Sequence, residues 1–237
     1  FLGGRPRLHD AKLPPAARPL RSQETGYVVY INMAALEAVA EEHEARIDLL
    51  QLPGGFLYHD TPMAMITAAQ PLDEKAETRL RDAFRIAQTR DYDQDPRFGI
   101  IVLSEIASRA LSASINDPGT AIDVIGRITR LLTLWSQGPE LQDDEVIEYP
   151  HVHVPPLRDE DLFADGFGPI GRDSAGLIEV QTRLHKALNA LSGMGGPAFR
   201  AAALAQLRRA HAHAQRALPL EEEKESLRRL LPWAAQP

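Results

Sequence analysis

Residues 95–121 have the sequence DPRFGIIVLSEIASRALSASINDPGTA, in which two Asp-Pro pairs predict the starts of two helices. In each pair the aspartate suits the helix N-cap, and the proline suits the first turn, where its missing N–H costs nothing. The first helix is apolar around much of its circumference, and the second runs to about Trp135 with an isoleucine-rich stripe. We therefore predict two core helices joined by a polar elbow, residues 108–121.

Helical periodicity also dominates the rest of the chain after Asp73. Further helices are predicted at 73–90, 174–192, 197–217 and 220–231, with one helical turn at 159–164 that passes into a loop. Residues 146–154 alternate between apolar and polar side chains, which indicates a strand. Residues 71–237 are thus expected to form a mostly helical module with one or two short strands near 146–154.

The N-terminal part has a different pattern. Residues 1–22 contain four prolines and five basic residues, which favours an extended linker. Strands are predicted at 26–31 and 46–52, on either side of a helix at 33–44. Asn32 suits the N-cap of this helix, and its glutamates, Glu37 and Glu41 among them, should face outward. Residues 23–70 are expected to form a small β-rich module.

Residues 50–64 of this module are similar to the turn-and-strand half of a biotinyl- or lipoyl-type barrel. The resemblance implies a barrel-like shape but no cofactor, because no lysine stands in a hairpin of this segment. The predicted fold class is therefore α+β, with a small β-rich, barrel-like module followed by a mostly α-helical module.

The composition excludes several classes of protein. The 26 Lys+Arg and 33 Asp+Glu residues give a net charge of −7, which argues against a nucleic-acid partner. The absence of cysteine excludes disulfides, cysteine-ligated metals and thiol nucleophiles. No apolar run approaches the roughly 18 residues that a membrane span needs, so we expect this part of the protein to be water-soluble.

Motifs that would define a reaction are missing as well. No nucleophile elbow and no phosphate-binding loop is present, and no dinucleotide-binding glycine motif follows a predicted strand. We therefore expect no cofactor and favour a non-enzymatic role over catalysis.

The elbow has two interpretations. In the structural one, Asp117 caps the second helix, Thr120 packs at its start, and Arg109 pairs with Asp117 or bonds the last carbonyls of the first helix. In the functional one, Arg109, Ser112, Asn116 and Thr120 bind an anion or another polar ligand at the helix N-terminus. The Asp117 carboxylate counts against an anion, because it occupies the position that an anion would take. These five residues are the candidates for a ligand-binding or structural motif.

The same segment resembles a known family. Asp95, Phe98 and Gly99, followed by RALSASINDPGTA at 109–121, fit the patterns D-x-x-F-G and R-A-L-S-P-A-I-N-D-P-x-T-A. These patterns are typical of a family of bacterial predicted membrane proteins, the domain of unknown function 2254. The resemblance extends upstream to the Pro53-Gly54-Gly55-Phe56 turn and more loosely to the C-terminal helices.

Two departures from the family pattern concern the tip of the elbow. Ala113 stands where the family usually has proline, and Gly119 stands where it usually has a bulky residue. The resemblance implies several transmembrane helices ahead of Phe1, with the basic residues between 5 and 21 leaving the bilayer on the cytoplasmic side. It implies no biochemical activity.

Two histidine pairs are candidates for metal binding. His151 and His153 lie at i and i+2 of the predicted strand, so they share one face and provide half of a metal site. No third ligand is identified, so we favour a partly exposed polar edge over a metal site. His211 and His213 lie on a helix, where the side chains at i and i+2 point apart. We therefore expect both to be surface residues that cannot bind one ion together. The acidic residues near the first pair in sequence are Glu148, Asp159 and Asp161.

These observations predict a soluble assembly or regulatory domain of a bacterial integral membrane protein of unknown activity, with a layout that suits a channel or transporter. We expect a homo-oligomer attached to the inner membrane through a transmembrane region ahead of Phe1, with this domain in the cytoplasm. The elbow would then sense a ligand or pack between subunits. The alternative function is a metal-dependent hydrolase that uses His151 and His153.

Overall fold

The structure, a computed structural model, describes residues 2–7, 12–138 and 147–232. These residues fall into two compact units. The first unit contains the described residues up to Phe98 and those from 147 to Leu157, and the second contains those from Gly99 to 138 and from Arg158 onward. Helices and sheets are both abundant, which confirms the predicted α+β class.

The first unit combines strands with two helices. Its described strands are β1 (Gly4–Pro6), β2 (Arg18–Arg21), β3 (Gly26–Ile31), β4 (Arg46–Leu49), β5 (Phe56–Leu57), β6 (Pro62–Thr67), β7 (Phe84–Ala87) and β8 (Tyr149–Val154), and its helices are α1 (Met33–Glu42) and α2 (Glu74–Asp82). As predicted, α1 follows a strand and is capped by Asn32, whose side chain accepts the N–H of Ala35 at 3.1 Å.

The strands form two sheets. Five strands lie in the order β1-β8-β4-β6-β2, and three lie in the order β5-β3-β7. β8 is parallel to both β1 and β4, and the other neighbours are antiparallel. The described strands close no barrel, so the barrel-like prediction is wrong. The similarity at 50–64 covers only local turns and strands. The five-stranded sheet also depends on β8, which lies much later in the sequence.

The predicted linker at 1–22 contains two paired strands, which the prediction missed. β1 pairs with β8, and β2 pairs with β6. Leu20 of β2 is buried in the core of the unit, although Pro19 directly precedes it in the sequence. Both strands lie at the outer positions of the five-stranded sheet, where a proline costs no ladder hydrogen bond.

The helix predicted at 73–90 is shorter than expected. It ends at Asp82, and β7 follows at once, with Phe84 buried and Arg85 exposed in alternation. β7 pairs with β3, so the gain of a sheet partner overrides the continued helical periodicity. The first unit therefore extends beyond residue 70, the predicted limit of the β-rich module.

The second unit is built from helices that surround one core. The described helices from Pro96 onward are α3 (Pro96–Ala110), α4 (Pro118–Ser136), α5 (Asp159–Asp173), α6 (Ile178–Leu191), α7 (Pro197–Ala217) and α8 (Glu221–Arg228). Ile125 and Ile128 of α4, Phe163 and Phe167 of α5, and Leu184 of α6 are almost completely buried together. The prediction of α4 as a core helix is confirmed.

α5 continues through residues that the sequence predicts as loop. Gly166 and Gly171 explain the difference, because they allow close packing of helices. A Cβ atom at Gly166 would lie 3.0 Å from Ile100 and Ile128, and one at Gly171 would lie 3.4 Å from Ala210. Glycine lowers intrinsic helix propensity, so single-residue preferences predict a loop here. The close packing that the glycines allow depends on other helices and is not visible in those preferences.

α3 is less buried than predicted. Its buried residues are Ile100, Ser104, Ala107 and Ala110, which form one stripe, while Ile106 on another face is exposed. The prediction that α3 is enclosed by other helices is therefore wrong. Among the described residues, no helix combines the length and the hydropathy needed to cross a bilayer.

Candidate functional site

Asp117 caps α4 at the elbow, as the sequence predicts. Its Oδ1 accepts the N–H of Thr120 at 3.1 Å, and its Oδ2 accepts the hydroxyl of Thr120 at 2.6 Å. These hydrogen bonds, above all the one from the Thr120 hydroxyl, lower the pKa of the Asp117 carboxyl below its ordinary value. A negatively charged side chain of the protein, the Asp117 carboxylate, therefore already lies at the N-terminus of α4.

The backbone of Asn116 forms the turn of the elbow. Its φ of +49° lies in the left-handed region, which asparagine tolerates better than most residues. The N–H of Asn116 donates to the carbonyl of Ser112 at 2.9 Å, and the N–H of Asp117 donates to the carbonyl of Ala110 at 2.8 Å. Since the Asn116 side chain is exposed, the structure gives this residue a conformational role.

The other two candidate residues lie on the α3 side of the elbow. The Ser112 hydroxyl donates to the carbonyl of Arg109 at 2.7 Å. Arg109 is exposed, and within the described residues it makes no ion pair with Asp117, whose carboxylate faces the start of its own helix. The elbow thus gathers all five candidates. Ser112, Asp117 and Thr120 are engaged in local hydrogen bonds, so the ligand-binding role of the elbow stays a prediction.

Asp95, the other aspartate of the motif, is buried in the first unit. Its carboxylate accepts the N–H groups of Arg97 and Phe98, each at 3.1 Å, and lies 2.6 Å from the guanidinium of Arg90. Gly54 lies against this ion pair with a φ of +91°, and a Cβ there would come within 2.3 Å of the Asp95 carboxylate. The glycine turn and the D-x-x-F-G segment, which are distant in sequence, are therefore neighbours.

A second group of polar side chains lies where α1 packs on β8. Oε1 of Glu37 is 2.6 Å from Nδ1 of His151, and Oε2 of Glu37 accepts the backbone N–H of His151 at 3.1 Å. Glu41 lies one turn further along α1. One possible ligand atom from each of these three residues lies within 4.8 Å of the other two, and we name the group the Glu37–Glu41–His151 cluster.

Glu37 is buried, with 7% of its surface exposed, although the sequence predicts an outward side chain. The spacing contains a signal that could have shown this. Glu37 follows the buried Met33 by four residues and precedes the buried Ala40 by three, so all three share one face of α1. The contact with His151 has no local signal, because β8 comes from a distant part of the chain.

His153 does not join this cluster. It lies in register with Asp48 of β4, whose carboxylate already receives two hydrogen bonds from Arg46 at 2.7 and 2.8 Å. Burial, followed by the positive charge of Arg46, lowers the pKa of His153 below its ordinary value. Within the described residues no group of three possible ligands contains His153, so the structure does not bring the predicted histidine pair together around one ion.

The fold and these sites define a two-unit α+β protein with a capped helical elbow. A family model described as "Predicted membrane protein (DUF2254)" matches residues 4–190, which is most of the chain. The chain belongs to this family, which confirms the resemblance that the motif residues indicated. Searches of curated proteins and of solved structures each gave no match.

Proposed function

We propose that this chain is the assembly and regulatory domain of a bacterial membrane protein and that it works as a homo-oligomer. Membership of a predicted membrane protein family supports the link to a membrane. The observation that carries the assembly role is the apolar surface of the hairpin formed by α3, the elbow and α4.

Five large apolar side chains are exposed on this hairpin. Leu134 and Trp135 follow Leu131 by three and four residues, so the three share one face of α4. Single exposed apolar residues are common, but three large ones on one helix face are typical of an interaction surface, and Ile106 and Ile115 are further exposed apolar residues on α3 and at the elbow. The five are Ile106, Ile115, Leu131, Leu134 and Trp135, each between 40% and 57% exposed, and we name them the hairpin surface.

The charges beside this surface suit a second copy of the chain. Glu105 and Arg109 are exposed one turn apart next to Ile106, and in the described part of the chain neither has an ion-pair partner. Two copies packed antiparallel about a two-fold axis would place Glu105 of each copy opposite Arg109 of the other. A second copy is therefore the partner that we propose for the hairpin surface.

Size-exclusion chromatography with light scattering tests this proposal. We expect the wild-type chain to be oligomeric and Leu134→Glu to be monomeric, because a buried interface would not accept the unpaired charge. Leu220→Glu is the matched control, since Leu220 is 58% exposed but lies outside the hairpin.

A charge exchange tests the predicted orientation. Glu105→Arg should weaken association, and the double variant Glu105→Arg with Arg109→Glu should restore it. A wild-type chain that stays monomeric at high micromolar concentration contradicts the proposal, as does an oligomer that Leu134→Glu leaves intact.

We also propose that the native protein lies in the inner membrane with this domain on the cytoplasmic side. The family description supports the membrane location, and the basic residues between 5 and 21 support the orientation. In a channel or transporter of this layout, assembly of the domain would control the state of the membrane part. Protease added to intact spheroplasts should leave the domain uncut until the cells are lysed, and cleavage before lysis contradicts the orientation.

A metal-dependent hydrolase that uses His151 and His153 has less support. His153 faces the Asp48–Arg46 pair, and the possible ligands near His151 come from α1 instead.

A further inference from the structure

The Glu37–Glu41–His151 cluster concentrates negative charge without a permanent positive partner. The Glu37 side chain is only 9% exposed, and its ion pair within the described residues is with His151. Neither Glu37 nor Glu41 pairs with a lysine or arginine in that part of the chain. A buried carboxylate is costly unless it is compensated, and a neutral imidazole compensates only by hydrogen bonding.

From this arrangement we propose that the cluster binds one divalent first-row transition metal ion, with zinc as the reference ion. Imidazole nitrogen and carboxylate oxygen are ligands that such ions accept, and the site contains no thiolate. The proposal is independent of the oligomer, because all three ligands belong to the first unit of a single chain.

The geometry requires only small movements for coordination. Metal–ligand bonds of about 2.0–2.2 Å place two ligand atoms at most about 4 Å apart. The cluster atoms lie within 4.8 Å of one another, and the exposed Glu41 can close the remaining gap by rotation. The ion would take the place of the hydrogen bond between Oε1 of Glu37 and Nδ1 of His151, two atoms that lie 2.6 Å apart.

The surroundings fix one ligand and leave the site open. The backbone N–H of His151 holds the Glu37 carboxylate in place at 3.1 Å, as outer hydrogen bonds do around metal ligands. The His151 side chain is 45% exposed, so an ion can enter from solvent. Three protein ligands would leave further coordination positions to water, as in catalytic rather than structural zinc sites.

A purely structural role for the cluster is the competing explanation. Glu37 joins α1 to β8 through His151, and this contact alone could account for its burial. Glu41 separates the two explanations, because it is exposed and takes no part in that contact. Removing its charge should affect metal binding but not folding.

Isothermal titration calorimetry of the chelator-treated chain with zinc chloride, and separately with manganese chloride, tests the proposal. We expect one ion per chain for at least one of the two metals. Glu41→Gln should weaken binding at least about tenfold, the scale on which even indirect metal partners act. Glu42→Gln is the matched control, since Glu42 is the exposed glutamate next in sequence and pairs with Arg79.

The histidines provide a second matched pair. His151→Gln should weaken binding at least as strongly as Glu41→Gln, whereas His153→Gln should retain it. Circular dichroism establishes whether each variant is folded, and if His151→Gln is not folded, Glu41→Gln decides. The absence of saturable binding of either metal, or binding that Glu41→Gln leaves unchanged, overturns the proposal.

Discussion

Nε2 of His185 lies 3.2 Å from Nδ1 of His211, so two imidazole rings join α6 to α7 in the second unit. Nδ1 of His185 lies 2.8 Å from the carbonyl oxygen of Gln181, which can only accept. The proton of a neutral His185 is therefore on Nδ1, and its Nε2 accepts a hydrogen bond from His211. The sequence predicts His211 as a surface residue, and the structure leaves it half-buried because this side of α7 lies toward α6.

This pair predicts that acid destabilises the second unit. Burial lowers the pKa of His185 from 6.5 to about 4, and the charge of His211 contributes in the same direction. Between these two pH values the unfolded chain binds a proton that the folded chain excludes, so the free energy of unfolding falls as the pH falls. The loss begins below pH 6.5, is complete near pH 4 and amounts to at most about 3 kcal/mol.

Urea unfolding above and below pH 6.5 measures this effect in a Trp233→Phe background, in which the fluorescence of Trp135 reports on the second unit. His185→Gln should reduce the pH dependence of stability. His213→Gln should leave it unchanged, because His213 is exposed on the same helix. The same pH dependence in His185→Gln as in the wild type would show that other groups cause it.

Close helix packing at Gly166 predicts a large effect of added volume. A Cβ there would already lie 3.0 Å from Ile100 and Ile128, so Gly166→Val should destabilise the second unit by about 1–3 kcal/mol. Gly126→Ala is the control, because its Cβ would meet only the mobile end of the exposed Arg183, at 3.3 Å. We expect this control to gain about 0.5–1 kcal/mol from helix propensity, as measured by urea unfolding.

The left-handed backbone of Asn116 predicts which substitutions the elbow accepts. Asn116→Gly should change stability by only a few tenths of a kcal/mol, since glycine adopts a positive φ freely. Asn116→Val should cost about 1–2 kcal/mol, because a β-branched residue is strained there. Equal unfolding free energies for the two variants would contradict a conformational role and favour one for the side chain.

The sequence predicts local features of this protein well and long-range contacts poorly. The caps at Asn32 and Asp117 follow from hydrogen bonds within one helical turn, so the residue types reveal them. The places of β8 and β7 in their sheets follow from partners elsewhere in the chain. The contact of Glu37 with His151 is long-range in the same way, although the spacing from Met33 and Ala40 places Glu37 on the buried face of α1.

Candidate site residues follow the same rule. Arg109, Ser112, Asn116, Asp117 and Thr120 are close in sequence, and the structure keeps them in one elbow. The Glu37–Glu41–His151 cluster instead needs α1 and β8 together, and only His151 carried a sequence signal for it.

The buried ion pair between Arg90 and Asp95 predicts a large effect of a single substitution in the first unit. Asp95→Ala leaves the guanidinium of Arg90, 17% exposed, without its partner and removes two hydrogen bonds to the start of α3. Loss of one partner of a buried pair costs about 3–5 kcal/mol. Asp93→Ala makes the same change of charge at an exposed position and should stay within about 0.5 kcal/mol of the wild type.

Tyrosine absorbance during urea unfolding is the appropriate measurement, because all 5 tyrosines lie in the first unit. In a Trp233→Phe background, the fluorescence of Trp135 provides an internal reference in the second unit. We expect Asp95→Ala to lower the tyrosine transition much more than the tryptophan transition. A loss as small as that of Asp93→Ala would show that this pair is not what links the glycine turn at Gly54 to the D-x-x-F-G segment.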